Sequence, residues 1–235
     1  MAETSFDHRQ LLIFTKPARP GRVKTRLIGD LSAQQTARLH QAFVEDVAHR
    51  LADGRFLLRL AWALDAGEPV PEFPLDDGRG VPGLRQAGAS LGDRLFLGLQ
   101  EAARTSELVA AVGSDHPSLP LERVHRAFEL LEAGADVALG PAEDGGYYLI
   151  GCRRRSLRRR IFEDIAWSTG EVFEATRARC RELGLRVEVL PPGTDVDTPE
   201  DLAAFERWLE TAPEACPRTR RLLACWAPTA AEAGG

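Results

Sequence analysis

L-V-A-A-V at residues 108–112, followed directly by G-S-D-H-P at 113–117, is the stretch on which the fold turns. Five apolar residues without polar alternation suit a strand buried on both faces. The flanking segments, about 90–104 and 120–133, instead repeat apolar residues at helical spacing. A strand of that kind between two helices belongs in the middle of a mostly parallel sheet.

Outward from there the alternation recurs. Q-L-L-I-F-T (10–15) is a short apolar strand, and Ser32 opens a long helix with Gln35 at the capping-box position. Leu39, Phe43 and Val47 share one face of that helix, and Gly54 lies just past its end. Residues 56–64 read as a second strand, and 69–82, rich in Pro, Gly and Asp, as a surface loop. Ser90 and Asp93 form a further capping box, and Gly134 ends the 120–133 helix. Strands at 136–140, 147–151 and 186–190, a helix at 171–183 closed by Gly184, and a last helix from Thr198-Pro199 to about 209 complete the pattern. The reading is an α/β domain over residues 1–210, its sheet covered on both faces, with a loosely attached tail at 211–235.

Composition narrows the function. With 44% hydrophobic residues the chain can bury a full core, and no run approaches the roughly 18 apolar residues of a membrane span. The polar N-terminus has no signal pattern, so a cytoplasmic protein without a membrane partner is expected. A net charge of −5 argues against nucleic-acid binding, which needs a cationic surface. The run R-R-R-S-L-R-R-R (153–160) has no interleaved aromatics and reads as a solvated surface. Cys152, Cys180, Cys216 and Cys225 lack C-x-x-C or zinc spacing, so reduced structural thiols are expected.

Ligands of open α/β sheets bind beyond the carboxyl ends of the strands, and four segments qualify. The loop K-P-A-R-P-G-R-V-K-T-R-L (16–27) carries Lys16, Arg19, Arg22, Lys24 and Arg26 around Gly21. Guanidinium forks and ammonium charges suit a di- or triphosphate, although a solvated basic loop explains the same letters. Asp115, just past the central strand, suits Mg²⁺ or Mn²⁺ held against phosphates, or simply a turn; His116 is expected to pack beside it. G-P-A-E-D-G-G-Y-Y (140–148) offers Glu143, Asp144, paired glycines and two tyrosines, which fit either a ligand wall or a β-hairpin turn. In D-V-D-T-P-E-D (195–201) alternation puts Asp195 and Asp197 on one side, while Thr198 and Asp201 cap the last helix.

Taken in order, these motifs, together with Q-A-G-A-S-L-G-D-R-L from Gln86 and I-A-W-S-T from Ile165, resemble a family of bacterial GT-A-type glycosyltransferases, some associated with arsenosugar biosynthesis. K-T-R-L, Asp-x-Pro and D-x-D-T-P-E-D are also similar, more distantly, to phospholactate guanylyltransferases and molybdenum-cofactor nucleotidyltransferases. The resemblance implies a three-layer α/β/α, nucleotide-diphospho-sugar transferase (GT-A, Rossmann-like) fold with a mostly parallel mixed sheet. It implies Asp115 and Asp197 as ligands of Mg²⁺ or Mn²⁺. It also implies phosphate and nucleotide contacts from Lys16, Arg22, Lys24, Thr25, Arg26, Gly88 and Arg94. Asp144, Gly145, Gly146 and Tyr147 would line the acceptor side, with Trp167, Ser168 and Thr169 closing the pocket. G-S-D stands here where typical GT-A enzymes have D-x-D.

The leading expectation is a metal-dependent glycosyltransferase that joins a sugar from a nucleotide-diphosphate donor to a small-molecule acceptor, with Asp144 or Glu143 as base. A nucleotidyltransferase using a nucleoside triphosphate and a phosphorylated acceptor is the alternative, and a non-catalytic nucleotide-binding protein the third reading. A monomer or homodimer is expected, with L-L-A-C-W (222–226) docked on the body or on a second subunit.

Overall fold

In the computed structural model, which describes residues 8–226, the 108–112 run is the fourth strand of a seven-stranded sheet. The elements in chain order are β1 (Arg9–Thr15), α1 (Ala33–Leu51), β2 (Leu57–Trp62), β3 (Phe73–Pro74), β4 (Gly80–Val81), β5 (Gly83–Arg85), α2 (Leu91–Ala102), β6 (Leu108–Gly113), α3 (Leu121–Glu132), β7 (Val137–Pro141), β8 (Tyr147–Arg153), α4 (Val172–Glu182), β9 (Val187–Val189), α5 (Pro199–Thr211) and α6 (Pro217–Ala224). The sheet order is β5-β2-β1-β6-β8-β7-β9. β1 pairs parallel with β2 and β6, β2 with β5, and β7 with β9. β8 runs antiparallel between β6 and β7. Residues 142–146 are too few for a crossover, which takes about a dozen, so β7 and β8 form a hairpin and the sheet is mixed.

Alternation along β1 sorts the core into layers. Leu11 and Ile13 face α1 and α3 through Val47, Phe128 and Leu131. Leu12 faces the opposite layer of α2 and α4, with Leu95, Leu99, Val109 and Cys180. The capping boxes at Ser32/Gln35, Ser90/Asp93 and Thr198/Asp201 all form. Cys152, Cys180 and Cys216 are buried and Cys225 exposed, all as free thiols. No helix of the described residues is long and apolar enough to cross a membrane.

Two segments depart from expectation. The 69–82 loop carries the β3–β4 hairpin, because Phe73 and Val81 are apolar anchors buried within a turn-rich composition. Past α5, residues 217–224 of the expected loose tail form α6, which packs on α1 in line with the expected docking of 222–226 on the body, while 227–235 lie outside the described residues. One anchor is Asp46, a buried carboxylate on α1 that accepts hydrogen bonds from the Arg218 N–H (3.0 Å), the Thr219 N–H (2.9 Å) and Thr219 Oγ1 (2.7 Å). A negative charge there also complements the helix N-terminus. Replacing Asp46 by Ala is expected to destabilise the protein by about 2–3 kcal/mol, since charge-assisted bonds are lost together. Urea melts check this, and a change under about 0.5 kcal/mol would remove Asp46 as an anchor of α6.

Candidate active site

The site forms where the chain leaves β1 and β6 side by side. Residues 16–27 end in a short 3-10 turn, Thr25–Leu27, entered through Lys24 in the left-handed region (φ 47°). A non-glycine residue there is strained by about 1–2 kcal/mol, so its contacts must hold it. Lys24 Nζ forms an ion pair with Asp115 Oδ1 (2.5 Å), donates to Asp197 Oδ1 (2.9 Å) and the Val196 carbonyl (2.7 Å), and lies 5.3 Å from the centre of the Phe43 ring. Its side chain is 2% exposed, whereas the Asp115 and Asp197 side chains are 38% and 41% exposed. The ammonium is therefore inside and the two carboxylates face outward from it.

Burial alone would lower the Lys24 pKa, but Asp115 and then Asp197 outweigh it and hold the ammonium charged. Burial likewise opposes ionisation of Asp115, and the Lys24 charge and the His40 ring overcome it, leaving the carboxyl well below the usual range. Asp195 has no ammonium bonded to it, and the charge of Lys24 offsets only part of the opposing influences. Burial, followed by the Asp115 and Asp197 charges, pushes its carboxyl up to about 7. His116 is pushed down to about 4 by burial and by Arg123 and Arg50, so its ring is neutral near pH 7. As expected it packs, lying 5.1 Å from the Tyr148 ring centre.

Backbone hydrogen bonds fix these segments to one another. Val196 N–H donates to the Asp115 carbonyl (2.9 Å), Gly193 N–H to Pro141 (2.9 Å) and Glu143 N–H to Gly193 (3.1 Å). The loops after β6 and β7 and the D-V-D segment are thus one unit.

Two cavities open on this unit. The smaller, about 180 Å³, lies between Lys16, Lys24, Thr25, Arg26, Asp115 and Asp197. The larger, about 430 Å³, has walls from Phe14, Leu95, Tyr147 and Trp167, with Asp144, Asp195, Asp197 and Arg26 at its polar side. Gly146, Ser168 and Thr169 line it too, and Arg26 and Asp197 border both cavities. Gly145 lines neither but shapes the wall: at φ 85° it lies so close to Gly170 that a Cβ would overlap the Gly170 carbonyl. Phe173 N–H donates to the Gly145 carbonyl (2.9 Å), and Trp167 sits against Gly92 and edge-on to Tyr147 at 6.3 Å. Gly145→Ala is therefore expected to push the 167–170 segment away and reduce occupancy of the larger cavity at least about tenfold while the fold persists. Ligand titration against an unchanged circular-dichroism spectrum checks it, and wild-type affinity would show the wall to be irrelevant.

Other anticipated contacts are elsewhere. Arg22 is 63% exposed and pairs with Asp65 at 2.9 Å, and Arg19 pairs with Asp65 and Glu68, so both guanidiniums border neither cavity. Charge density in the loop could not reveal that local acids engage them. Arg94 Nε donates to the Gly88 carbonyl at 3.3 Å, and neither residue lines a cavity.

His40 is the residue that sequence reading missed. It is buried on α1, its Nε2 3.0 Å from the Lys16 carbonyl and its Nδ1 3.6 Å from Asp115 Oδ1. A carbonyl only accepts, so Nε2 carries the proton. The available signal was a lone imidazole one residue from Leu39 on the buried side of an amphipathic helix.

Asp115 and Asp197 supply hard oxygens that both reach one point, now taken by Lys24 Nζ. That donor set fits a divalent cation whose shell is completed by substrate phosphates, the usual arrangement for Mg²⁺. Among the described residues no group of three or more His, Cys, Asp or Glu is arranged to hold a metal alone.

The mixed sheet, its covering helices and the site at its carboxyl edge define the nucleotide-diphospho-sugar transferase fold. The chain belongs to the DUF2064 family, described as an uncharacterized protein conserved in bacteria, whose model matches residues 46–169. A "putative nucleotide-diphospho-sugar transferase" from Desulfovibrio desulfuricans G20 is 32% identical, with a TM-score of 0.84 over 93% of this chain and 94% of that one. The 4-diphosphocytidyl-2C-methyl-D-erythritol synthase of Anaerococcus prevotii DSM 20548 shares the fold at 11% identity and a TM-score of 0.55, over 88% and 100% of the two chains. A cytidylyltransferase from Leptospira borgpetersenii serovar Hardjo-bovis does so at 10% and 0.55, over 92% and 94%. No curated protein matches the chain.

Proposed function

We propose that the protein is a metal-dependent glycosyltransferase that moves a sugar from a nucleotide-diphosphate donor to a small acceptor hydroxyl. The observation carrying this reading is the pair of cavities sharing Arg26 and Asp197. The smaller has Lys16, Lys24 and Arg26 for a diphosphate. The larger combines aromatic walls with Asp144 and Asp195, whose oxygens can accept hydrogen bonds from a hydroxylated acceptor.

In the reaction the acceptor oxygen attacks the anomeric carbon, the bond from that carbon to the diphosphate breaks, and the nucleoside diphosphate leaves with the electron pair. Lys16, Lys24 and Arg26 bind the diphosphate and stabilise the charge it gains, an effect that is large when the cations are fixed beforehand. Asp144, on the wall of the larger cavity, takes the hydroxyl proton. Trp167 and Tyr147 exclude water that would otherwise hydrolyse the donor. Asp115 and Asp197 would hold Mg²⁺ or Mn²⁺, which when bound supplies Lewis-acid neutralisation of the diphosphate.

The test is product analysis with a panel of nucleotide sugars and small alcohols, with Mn²⁺ or chelator. Metal-dependent release of nucleoside diphosphate with a glycosylated product is expected. Pyrophosphate release from a nucleoside triphosphate would replace this reading with nucleotidyl transfer. Nucleotide binding without turnover under any condition would leave a binding protein.

A further inference from the structure

Lys24 stands where a metal shared by Asp115 and Asp197 would have to be, and it stands there paired with both carboxylates. An ammonium has three donors. Lys24 donates to Asp197 (2.9 Å) and to the Val196 carbonyl (2.7 Å) and forms an ion pair with Asp115 at 2.5 Å, in a side chain 2% exposed. We propose that Lys24 is the resident cation of this carboxylate pair, so that the site takes a divalent metal tightly only together with a diphosphate, to which the ammonium is handed over. This rests on the metal-dependent reading above and specifies the form in which the ligand enters.

A metal on the same two oxygens would lie about 2.0–2.6 Å from each of them, within a few ångströms of Nζ. Two positive charges plus one would then face each other in a partly buried site, where the attraction of the carboxylates is already largely matched by Lys24. Free metal therefore competes with a well-bonded ammonium and binds weakly. A diphosphate changes the balance. The smaller cavity borders Lys24 together with Lys16, Thr25 and Arg26, so an anion bound there offers the ammonium a new partner through rotation of its four-carbon stem. The released carboxylates then accept the metal. Metal and diphosphate are thereby coupled, and by linkage each raises the affinity for the other by the same factor. The left-handed backbone of Lys24 fits this role, because strain at one residue persists where the surroundings dictate its position.

Equilibrium dialysis of Mn²⁺ against the full chain, with and without inorganic pyrophosphate as the probe, tests the handover. Wild-type protein is expected to retain Mn²⁺ weakly alone and at least about tenfold more tightly with pyrophosphate. Lys24→Met, which removes the charge and keeps the bulk, is expected to bind Mn²⁺ alone at least about tenfold more tightly than wild type and to gain little from pyrophosphate. Lys24→Arg keeps the charge and should bind Mn²⁺ alone as weakly as wild type. An unfolded variant would lose binding, so a gain in Lys24→Met has no trivial origin. Tight Mn²⁺ binding by wild type without pyrophosphate overturns the handover and leaves the metal reading intact, whatever the variants do. Equal weak binding by wild type and Lys24→Met also overturns it, and no retention by any protein under either condition overturns both.

Discussion

Replacing Asp115 by Asn is expected to lower kcat/KM by about 10²–10³ or more while leaving the protein folded, because on the proposed mechanism Asp115 would hold the cation that neutralises the diphosphate, and a preorganised positive charge there contributes on that scale. Asn keeps the size of the side chain and removes its charge. Lys24 Nζ then retains Asp197 and the Val196 carbonyl as partners, so the buried ammonium is not stranded. Since the Asp115 side chain is 38% exposed, the loss of stability should be small, about 1 kcal/mol. The backbone bond from Val196 N–H to the Asp115 carbonyl does not involve the altered group and keeps the loops together. Donor-consumption kinetics read beside a thermal melt separate the two effects. Activity within a factor of about three of wild type would take Asp115 out of the chemistry, and a melting loss as large as the kinetic one would make it structural.

That separation of charge from scaffold also explains what the sequence could convey. Elements with a strong period are readable: the uninterrupted 108–112 run became β6, and Ser32, Ser90 and Thr198 each started a helix through a capping box. The positions of Asp115 and Asp197 follow from strand ends and one alternation. Their meeting does not, because it depends on Lys24 reaching both from a backbone conformation that no residue pattern announces. The same limit applies to Arg19 and Arg22, which look equivalent to Arg26 in the loop but are engaged by Asp65 and Glu68 from a segment some 40 residues later. His40 was hidden for the opposite reason, since one imidazole on a buried helix face is most often only a satisfied core residue. α6 was concealed by composition: its polar anchors, Asp46 among them, are remote in sequence.

Phe43→Ala is the stability change with the largest expected effect, and it reaches the site. Phe43 is fully buried, packs edge-on against Phe205 at 5.6 Å and shares a cluster with Leu27, Leu39, Leu209 and Cys216 that joins α1 to α5 and α6. Deleting a buried phenyl ring removes its transfer energy and leaves a cavity, together about 3–5 kcal/mol. At roughly 2–4 °C per kcal/mol for a domain of this size, the melting temperature should fall by about 10 °C. The ring also lies 5.3 Å from Lys24 Nζ, and Asp197 immediately precedes Thr198, the cap of α5, so the cavity would loosen both the ammonium and one of its carboxylates. Affinity for inorganic pyrophosphate, measured well below the melting transition, should therefore drop at least severalfold. Phe96→Ala is the control, because Phe96 is buried in the opposite layer against Phe162 and lies in a cluster without Lys24 or its partners. Its expected signature is lost stability with wild-type pyrophosphate affinity. If Phe43→Ala shows that same signature, the ring is packing alone, and the position of Lys24 is set by its carboxylates rather than by the wall behind it.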